Sequence, residues 1–335
     1  MPSPEPLDAT EGELLRAVDQ ATQLARWIQA RRPSAREKSD RTPLTVADLA
    51  VQTVLAAALE RVGPTDPIVA EEDSSALREQ GDALAEEVLH FVRPFLGKIT
   101  RRRLAQLLDL GAGTPAERYW AVDPIDGTEA FLRGGHFVVA LALVERGRPT
   151  IAFLGCPTLD ARGAADTLAE PDHRGLIGSL VIARRGRGTW ISPLEAADFT
   201  PVRVSNVAGL HEARMLQSVA ASHIDADATR RFAQAAGIER PPVLMDSQAK
   251  HAAIAMGRAD LFVRIPATPD YREYVWDHAA GTLAIEEAGG QVTDLAGRPL
   301  DFGAGRRFEQ NAGVVASNGL LHDAILSALG ARRAP

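Results

Sequence analysis

The stretch "WAVDPIDGTEAFLRGG", Trp120 to Gly135, sets Asp123 and Asp126 on either side of Pro124 and follows them with Gly127 and Thr128. A hard divalent cation such as Mg²⁺ takes oxygen ligands, usually one or two carboxylates together with water and substrate phosphate. Pro124 fixes φ between the two aspartates and limits how far they can splay. Gly127 and Thr128 read as a helix start, where free N–H groups favour an anion and glycine permits close approach. Metal ligands beside an anion cradle point to transfer of a phosphoryl group to water.

Carboxylates elsewhere could complete such a site: Asp48 in "TPLTVADLA", Glu71 and Glu72 in "VAEED", and Asp277 in "VWDHAAG". Each also has a plain structural reading. Asp-Pro is a common turn dipeptide. Thr45 and Asp48 fit a helix cap, with Asp48 at the third position. Glu71, Glu72 and Asp73 fit a solvated strand end, and Asp277 an acid in a helix's first turn.

The elements that would position these groups follow from periodicity. "TEGELLRAVDQATQLARWIQ" has helical apolar spacing, with Thr10 and Glu13 expected as its capping box. A second helix is expected from about Val46 to Val62, then a short strand in "DPIVAEED". Ser74 to Leu110 reads as mostly helical, interrupted near Pro94 and Gly97. Strands follow at "RYWAVDP" and in two hairpins, "HFVVALALVERGRPTIAFLGCP" and "GLIGSLVIARRGRGTWIS". Beyond a boundary near 190–200, short strands beginning with "PVRVS" alternate with helices, as in an α/β layer. We expect an N-terminal α+β metal-binding domain over 1–195 and a C-terminal α/β domain over 196–335.

Composition narrows the function classes. The 335 residues are 45% hydrophobic and 24% charged, an ordinary globular balance with room for two domains. A net charge of −7 argues against wholesale binding to nucleic acid or an anionic membrane, so contacts to an anionic substrate must be local. Cys156 is the single cysteine, which excludes an internal disulfide and fits a reducing cytoplasm. The acidic, Pro-rich start lacks the pattern of a secretory signal, and the apolar run Phe137 to Val144 is too short to span a bilayer.

"VDPIDGTEAF" with "VWDHAAGTLAIEEAGGQVTDLAG" resembles the lithium-sensitive, Mg²⁺-dependent phosphatase superfamily of inositol monophosphatases. "KSDRTPLTVADLAVQ", "MDSQAKHAAIAMGRADLFVRIP" and "PLDFGAGR" resemble its 3′(2′),5′-bisphosphate nucleotidase family, as does Glu129-Ala130-Phe131 in place of Thr-Asn-Phe. The likeness runs from about residue 11 to 330. It implies a layered αβαβα fold, with an antiparallel-sheet domain and a smaller α/β domain.

The resemblance implies two or three Mg²⁺ ions. Glu71 and Asp123, with the Ile125 carbonyl, would hold one, and Asp123, Asp126 and Asp277 a second; a weaker third would sit near Glu71. Asp48 would accept a hydrogen bond from Thr128 and orient the attacking water. Gly127, Thr128, His223 in "ASHID", Ser247 and Lys250 in "DSQAK", Arg264 in "VRIP" and Asp277 would contact substrate. Taken alone, Lys250 reads as a solvated helix lysine, Arg264 as a strand-end charge and His223 as a surface or cap histidine.

The implied activity removes the 3′-phosphate of adenosine 3′,5′-bisphosphate to give AMP, and extends to 3′-phosphoadenosine 5′-phosphosulfate, in sulfur metabolism in the cytoplasm. The alternatives are an inositol (poly)phosphate phosphatase, a non-catalytic nucleotide-binding homologue and a structural Ca²⁺ site. Lys250 and Arg264 weigh against a simple inositol monophosphate, which offers them no second phosphate.

Overall fold

The computed structural model describes residues 7–37, 43–161, 168, 178–196, 198–219 and 224–330. Helix α1, Ala9–Gln29, begins at a capping box, but Asp8 and Glu11 make it, not Thr10 and Glu13. The Glu11 amide donates to Asp8 Oδ1 at 2.7 Å and the Asp8 amide to Glu11 Oε2 at 2.9 Å. The helix starts before Thr10, so that residue already lies inside the first turn. Helix α2, Val46–Val62, matches expectation and is buried nearly all round.

A minor antiparallel pair, β1 (Arg36–Glu37) and β2 (Pro43–Leu44), precedes α2. The strand β3, Ile68–Ala70, leads into three helices, α3 (Ser75–Gln80), α4 (Asp82–Leu96) and α5 (Arg101–Asp109). Pro94 falls within α4 without ending it; Gly97, at φ +69°, terminates the helix. Then come β4 (Arg118–Asp126), α6 (Thr128–Arg133), β5 (Val138–Glu145) and β6 (Arg148–Cys156). They are followed by β7 (Ser179–Arg184), β8 (Gly188–Pro193) and β9 (Thr200–Val202). Strands β3 to β9 form a seven-stranded sheet in chain order, antiparallel except for the parallel β3–β4 pair. The "PVRVS" segment was expected to open the second layer. Its strand instead pairs with β8 as the edge of the first sheet, Thr189 opposite Val202.

The remainder comprises β10 (Met215–Gln217), α7 (Ala226–Ala235), β11 (Val243–Leu244), α8 (Ala249–Ala255) and β12 (Leu261–Arg264). It ends with α9 (Ala279–Glu287), β13 (Gln291–Thr293), β14 (Val314–Ser317) and α10 (His322–Gly330). Its five strands form a mixed sheet in the order β11-β10-β12-β14-β13.

Strand alternation explains the layering, because successive side chains point to opposite faces. On β4, Trp120 and Val122 join the core beneath α1, α2, α4 and α5, while Tyr119 and Ala121 face α8 and α9. On β12, Phe262 faces the same central helices, whereas Leu261 and Val263 pack with Phe232 of α7 and Ile325 of α10. The result is five layers, αβαβα. The central helices are rich in small residues (Ala249, Ala252, Ala253, Ala279, Ala280), which lets both sheets approach them closely. Among the described residues no helix is long and apolar enough to cross a membrane.

Candidate active site

The candidate acids stand at element ends that meet where the two sheets face the central helices. Asp123 still pairs within β4, opposite Ala140, but the register shifts before Asp126 pairs opposite Val138. Pro124 cannot donate to a ladder, and the break it sits in lets both carboxylates reach one cavity. Glu71 follows β3, and its amide donates to the Val122 carbonyl at 3.3 Å, which holds it beside Asp123. Asp277 immediately precedes His278, the N-cap of α9.

These four acids line an open cavity of about 210 Å³ together with Ile125, Gly127, Thr128, Ser247, Lys250 and Arg264. Asp48 stands behind them. It is fully buried in the α2 capping box, where its Oδ2 accepts from both the Thr45 amide and the Thr45 hydroxyl at 2.7 Å. Its Oδ1 accepts from the Thr128 hydroxyl at 3.3 Å, which also lies 3.1 Å from the Ile125 carbonyl. The helix-cap and site readings of Asp48 are therefore both correct, one for each oxygen. His223 lies outside the described residues, as does the 38–42 part of the "KSDRTP" segment.

Electrostatics mark the acids as a set. Burial, then Glu71, Asp126, Asp277 and Asp48, push the Asp123 carboxyl well above its usual range. Asp277 is raised by burial and then by Asp126 and Glu273. Asp126 rises only to about 6, because Lys250 and hydrogen bonding from Gln248 oppose burial. The Gln248 amide donates to Asp126 Oδ2 at 2.6 Å. Asp123 Oδ1 is buried and has no hydrogen-bond partner among the described residues. A buried carboxylate oxygen without a donor, among repelling acids, is costly by itself and fits a divalent cation.

The same cavity also carries positive charge. Lys250 is buried on α8, and its Nζ donates to the Ser247 carbonyl at 3.0 Å. Burial, then Arg264, lower its pKa to about 8. Ser247 has φ +63°, strained for a residue with a side chain. Its hydroxyl lies within donating distance of two carbonyls, Asp246 at 2.6 Å and His136 at 3.2 Å.

Arg264 ends β12 and pairs side-on with Glu273, Nε to Oε1 and Nη2 to Oε2, both at 3.0 Å. Burial pushes the Glu273 carboxyl up, but Arg264 and His278 outweigh it and hold it down to about 2. Among the described residues Glu273, Asp277 and His278 are the one trio whose ligand atoms all lie within 4.8 Å of one another, but Glu273 is already neutralised by Arg264; the acids Glu71, Asp123 and Asp126 stand farther apart than that.

Sequence reading missed two buried groups here. Gln248 lay inside the quoted "DSQAK" and could have been found as the amide facing Asp126. Glu273 carried no local signal; its importance comes from Arg264, which belongs to a different element.

Comparison with known proteins agrees with this architecture. A model of the inositol monophosphatase family matches residues 5–333. A 3′(2′),5′-bisphosphate nucleotidase of Emericella nidulans is 36% identical over 335 aligned positions, covering 93% of this chain and 95% of that protein. Its counterpart in Schizosaccharomyces pombe is 36% identical, covering 88% and 85%. An IMPase of Thermotoga maritima superposes with a TM-score of 0.64 at 21% identity, covering 95% of each chain, which supports the layered fold. With the family model matching nearly the whole length and the fold in agreement, the chain belongs to the inositol monophosphatase family.

Proposed function

We propose that this chain is a 3′(2′),5′-bisphosphate nucleotidase, hydrolysing the 3′-phosphate of adenosine 3′,5′-bisphosphate to give AMP and phosphate, in the cytoplasm. The observation that carries the reading is one cavity lined both by the acids Glu71, Asp123, Asp126 and Asp277 and by the bases Lys250 and Arg264. A substrate with two phosphates suits a metal-binding set of acids and a pair of cations in one cavity. The similarity to proteins named as bisphosphate nucleotidases supports the same substrate class.

Glu71, Asp123 and the Ile125 carbonyl would hold one Mg²⁺, and Asp123, Asp126 and Asp277 would hold another, with a third near Glu71. Bound there, Mg²⁺ supplies Lewis-acid activation of water and neutralises charge on the phosphate and leaving oxygen. Thr128, fixed between Asp48 and the Ile125 carbonyl, orients the attacking water, and Asp48 Oδ1 receives a proton through that hydroxyl. The water oxygen bonds to phosphorus as the bond from phosphorus to the ribose 3′-oxygen breaks; the freed oxygen takes a proton from solvent water, and Asp48 releases to solvent the one it received. Gly127 opens α6 toward the transferred phosphate, at φ +89° where a side chain would be strained. Lys250 and Arg264 hold the retained 5′-phosphate by charge-assisted bonds, with Ser247 shaping that wall and His223 contacting the nucleoside.

Phosphate release from adenosine 3′,5′-bisphosphate, its 5′-phosphosulfate analogue and inositol 1-phosphate, with and without Mg²⁺, tests the proposal. We expect Mg²⁺-dependent release, fastest from the nucleotides. Faster turnover of inositol 1-phosphate would favour the inositol phosphatase alternative.

A further inference from the structure

The closing arginine of "PLDFGAGR", Arg306, is absorbed by none of the roles above. Its guanidinium reaches across the molecule to three backbone carbonyls of the β3 region. Nη2 donates to Ala70 at 2.6 Å, and Nη1 to Gly113 at 2.8 Å and Gly111 at 3.3 Å. Ala70 directly precedes Glu71. The Gly111–Gly113 turn is itself pinned to β3, the Ala70 amide donating to Gly111 and the Gly113 amide to Ile68.

The same guanidinium lies 4.7 Å from the ring centroid of Trp276, a buried residue that directly precedes Asp277. Trp276 stacks on Tyr274 at 4.4 Å, and Arg307 covers Tyr274 at 3.7 Å. The backbone joins in: the Val275 amide donates to the Arg306 carbonyl and the Phe308 amide to the Glu273 carbonyl, each at 3.0 Å. One side chain thus touches the residue before Glu71 and the residue before Asp277, which are separated by more than two hundred positions along the chain.

We propose that Arg306 is a positioning residue that fixes the distance between Glu71 and Asp277, so that acids from the two ends of the chain form one metal site. The inference rests on the metal reading above. Planar guanidinium geometry suits the task, because one group can donate in-plane to several carbonyls while its face lies against an aromatic ring. A lysine has the charge but not this shape.

Calorimetric titration of Mg²⁺ into the metal-free full chain, far below its melting temperature, tests this without any turnover. Groups that orient metal ligands from behind typically change affinity 10- to 100-fold. Arg306→Gln should weaken Mg²⁺ about tenfold while the protein stays folded by circular dichroism, and Arg306→Lys should fall between that variant and wild type. A purely structural role would lower the melting temperature and leave the affinity of the folded protein unchanged; that result overturns the proposal. If Arg306→Gln does not fold, Trp276→Leu keeps the carbonyl bonds and removes the stack. Weakened Mg²⁺ in that variant supports the proposal, and wild-type affinity opposes it. Asp123→Asn is the reference for a lost site. If wild type matches it, with no heat and no Mg²⁺-induced rise in melting temperature, the metal reading itself fails and takes this inference with it.

Discussion

Thr128 and Asp48 show how much rests on single atoms. The Thr128 hydroxyl meets Asp48 and the Ile125 carbonyl, and the buried Asp48 has its second oxygen committed to Thr45. Thr128→Val preserves the side chain's shape and removes the hydroxyl. We expect kcat to fall by roughly a hundredfold or more, the range for losing a positioned proton-transfer group. Stability should fall by about 1–3 kcal/mol for the donor lost to a buried carboxylate. Near-normal kcat would remove Thr128 from the chemistry. Lys250 gives a pH prediction. Burial first, and Arg264 second, bring its pKa to about 8, so it is charged below that pH and neutral above it. If it holds the 5′-phosphate, the preference in kcat/KM for adenosine 3′,5′-bisphosphate over adenosine 3′-monophosphate should decline as pH rises through about 8. Using the ratio cancels effects common to both substrates. Lys250→Met should lower the preference at pH 7 by roughly tenfold or more, as expected for a charge-assisted bond, and flatten its pH dependence. A ratio independent of pH in the wild type would count against that role.

At the scale of elements, the site depends on how closely α8 and α9 pack. A Cβ on Gly281 would lie 2.3 Å from the His251 ring, with φ in the ordinary range and therefore no backbone cause of strain. Gly281→Ala must push α9 away from α8, and α9 starts immediately behind Asp277. Overpacking of this kind costs about 1–3 kcal/mol. We expect a lower melting temperature and, because Asp277 moves with the helix, weaker activation by Mg²⁺; an unperturbed melt would show that the interface yields easily. The elements most legible in the sequence were those with local causes. The bounds of α2 follow from a cap and an apolar run, the β5–β6 hairpin from two β-rich runs around a glycine-containing turn, and the Asp-Pro-Ile-Asp-Gly-Thr segment from its own spacing. What the sequence hid depended on partners. Whether β9 joins the first sheet or the second is decided by β8, not by residues 200–202. The capping box of α1 moved two residues because both sets of polar residues suit a cap, and only helix entry selects between them. Asp48 was read as either cap or site, yet a carboxylate has two oxygens and performs both tasks.

On the scale of the whole molecule, the five layers bring acids from the β3 and β4 ends and the start of α9 into one cavity with Lys250 and Arg264. The Glu273–Arg264 pair and the Arg306 clamp are consequences of that assembly and are invisible in one dimension. The two kinds of charge in that cavity predict which phosphate leaves: the acids, through the metal, take the ester that is cut, and the cations keep the other. Phosphorus NMR of the product from adenosine 3′,5′-bisphosphate and Mg²⁺ reads this directly. The account predicts adenosine 5′-monophosphate and inorganic phosphate, with no reaction once Mg²⁺ is chelated. Adenosine 3′-monophosphate as the product, or release that continues without the metal, would contradict it.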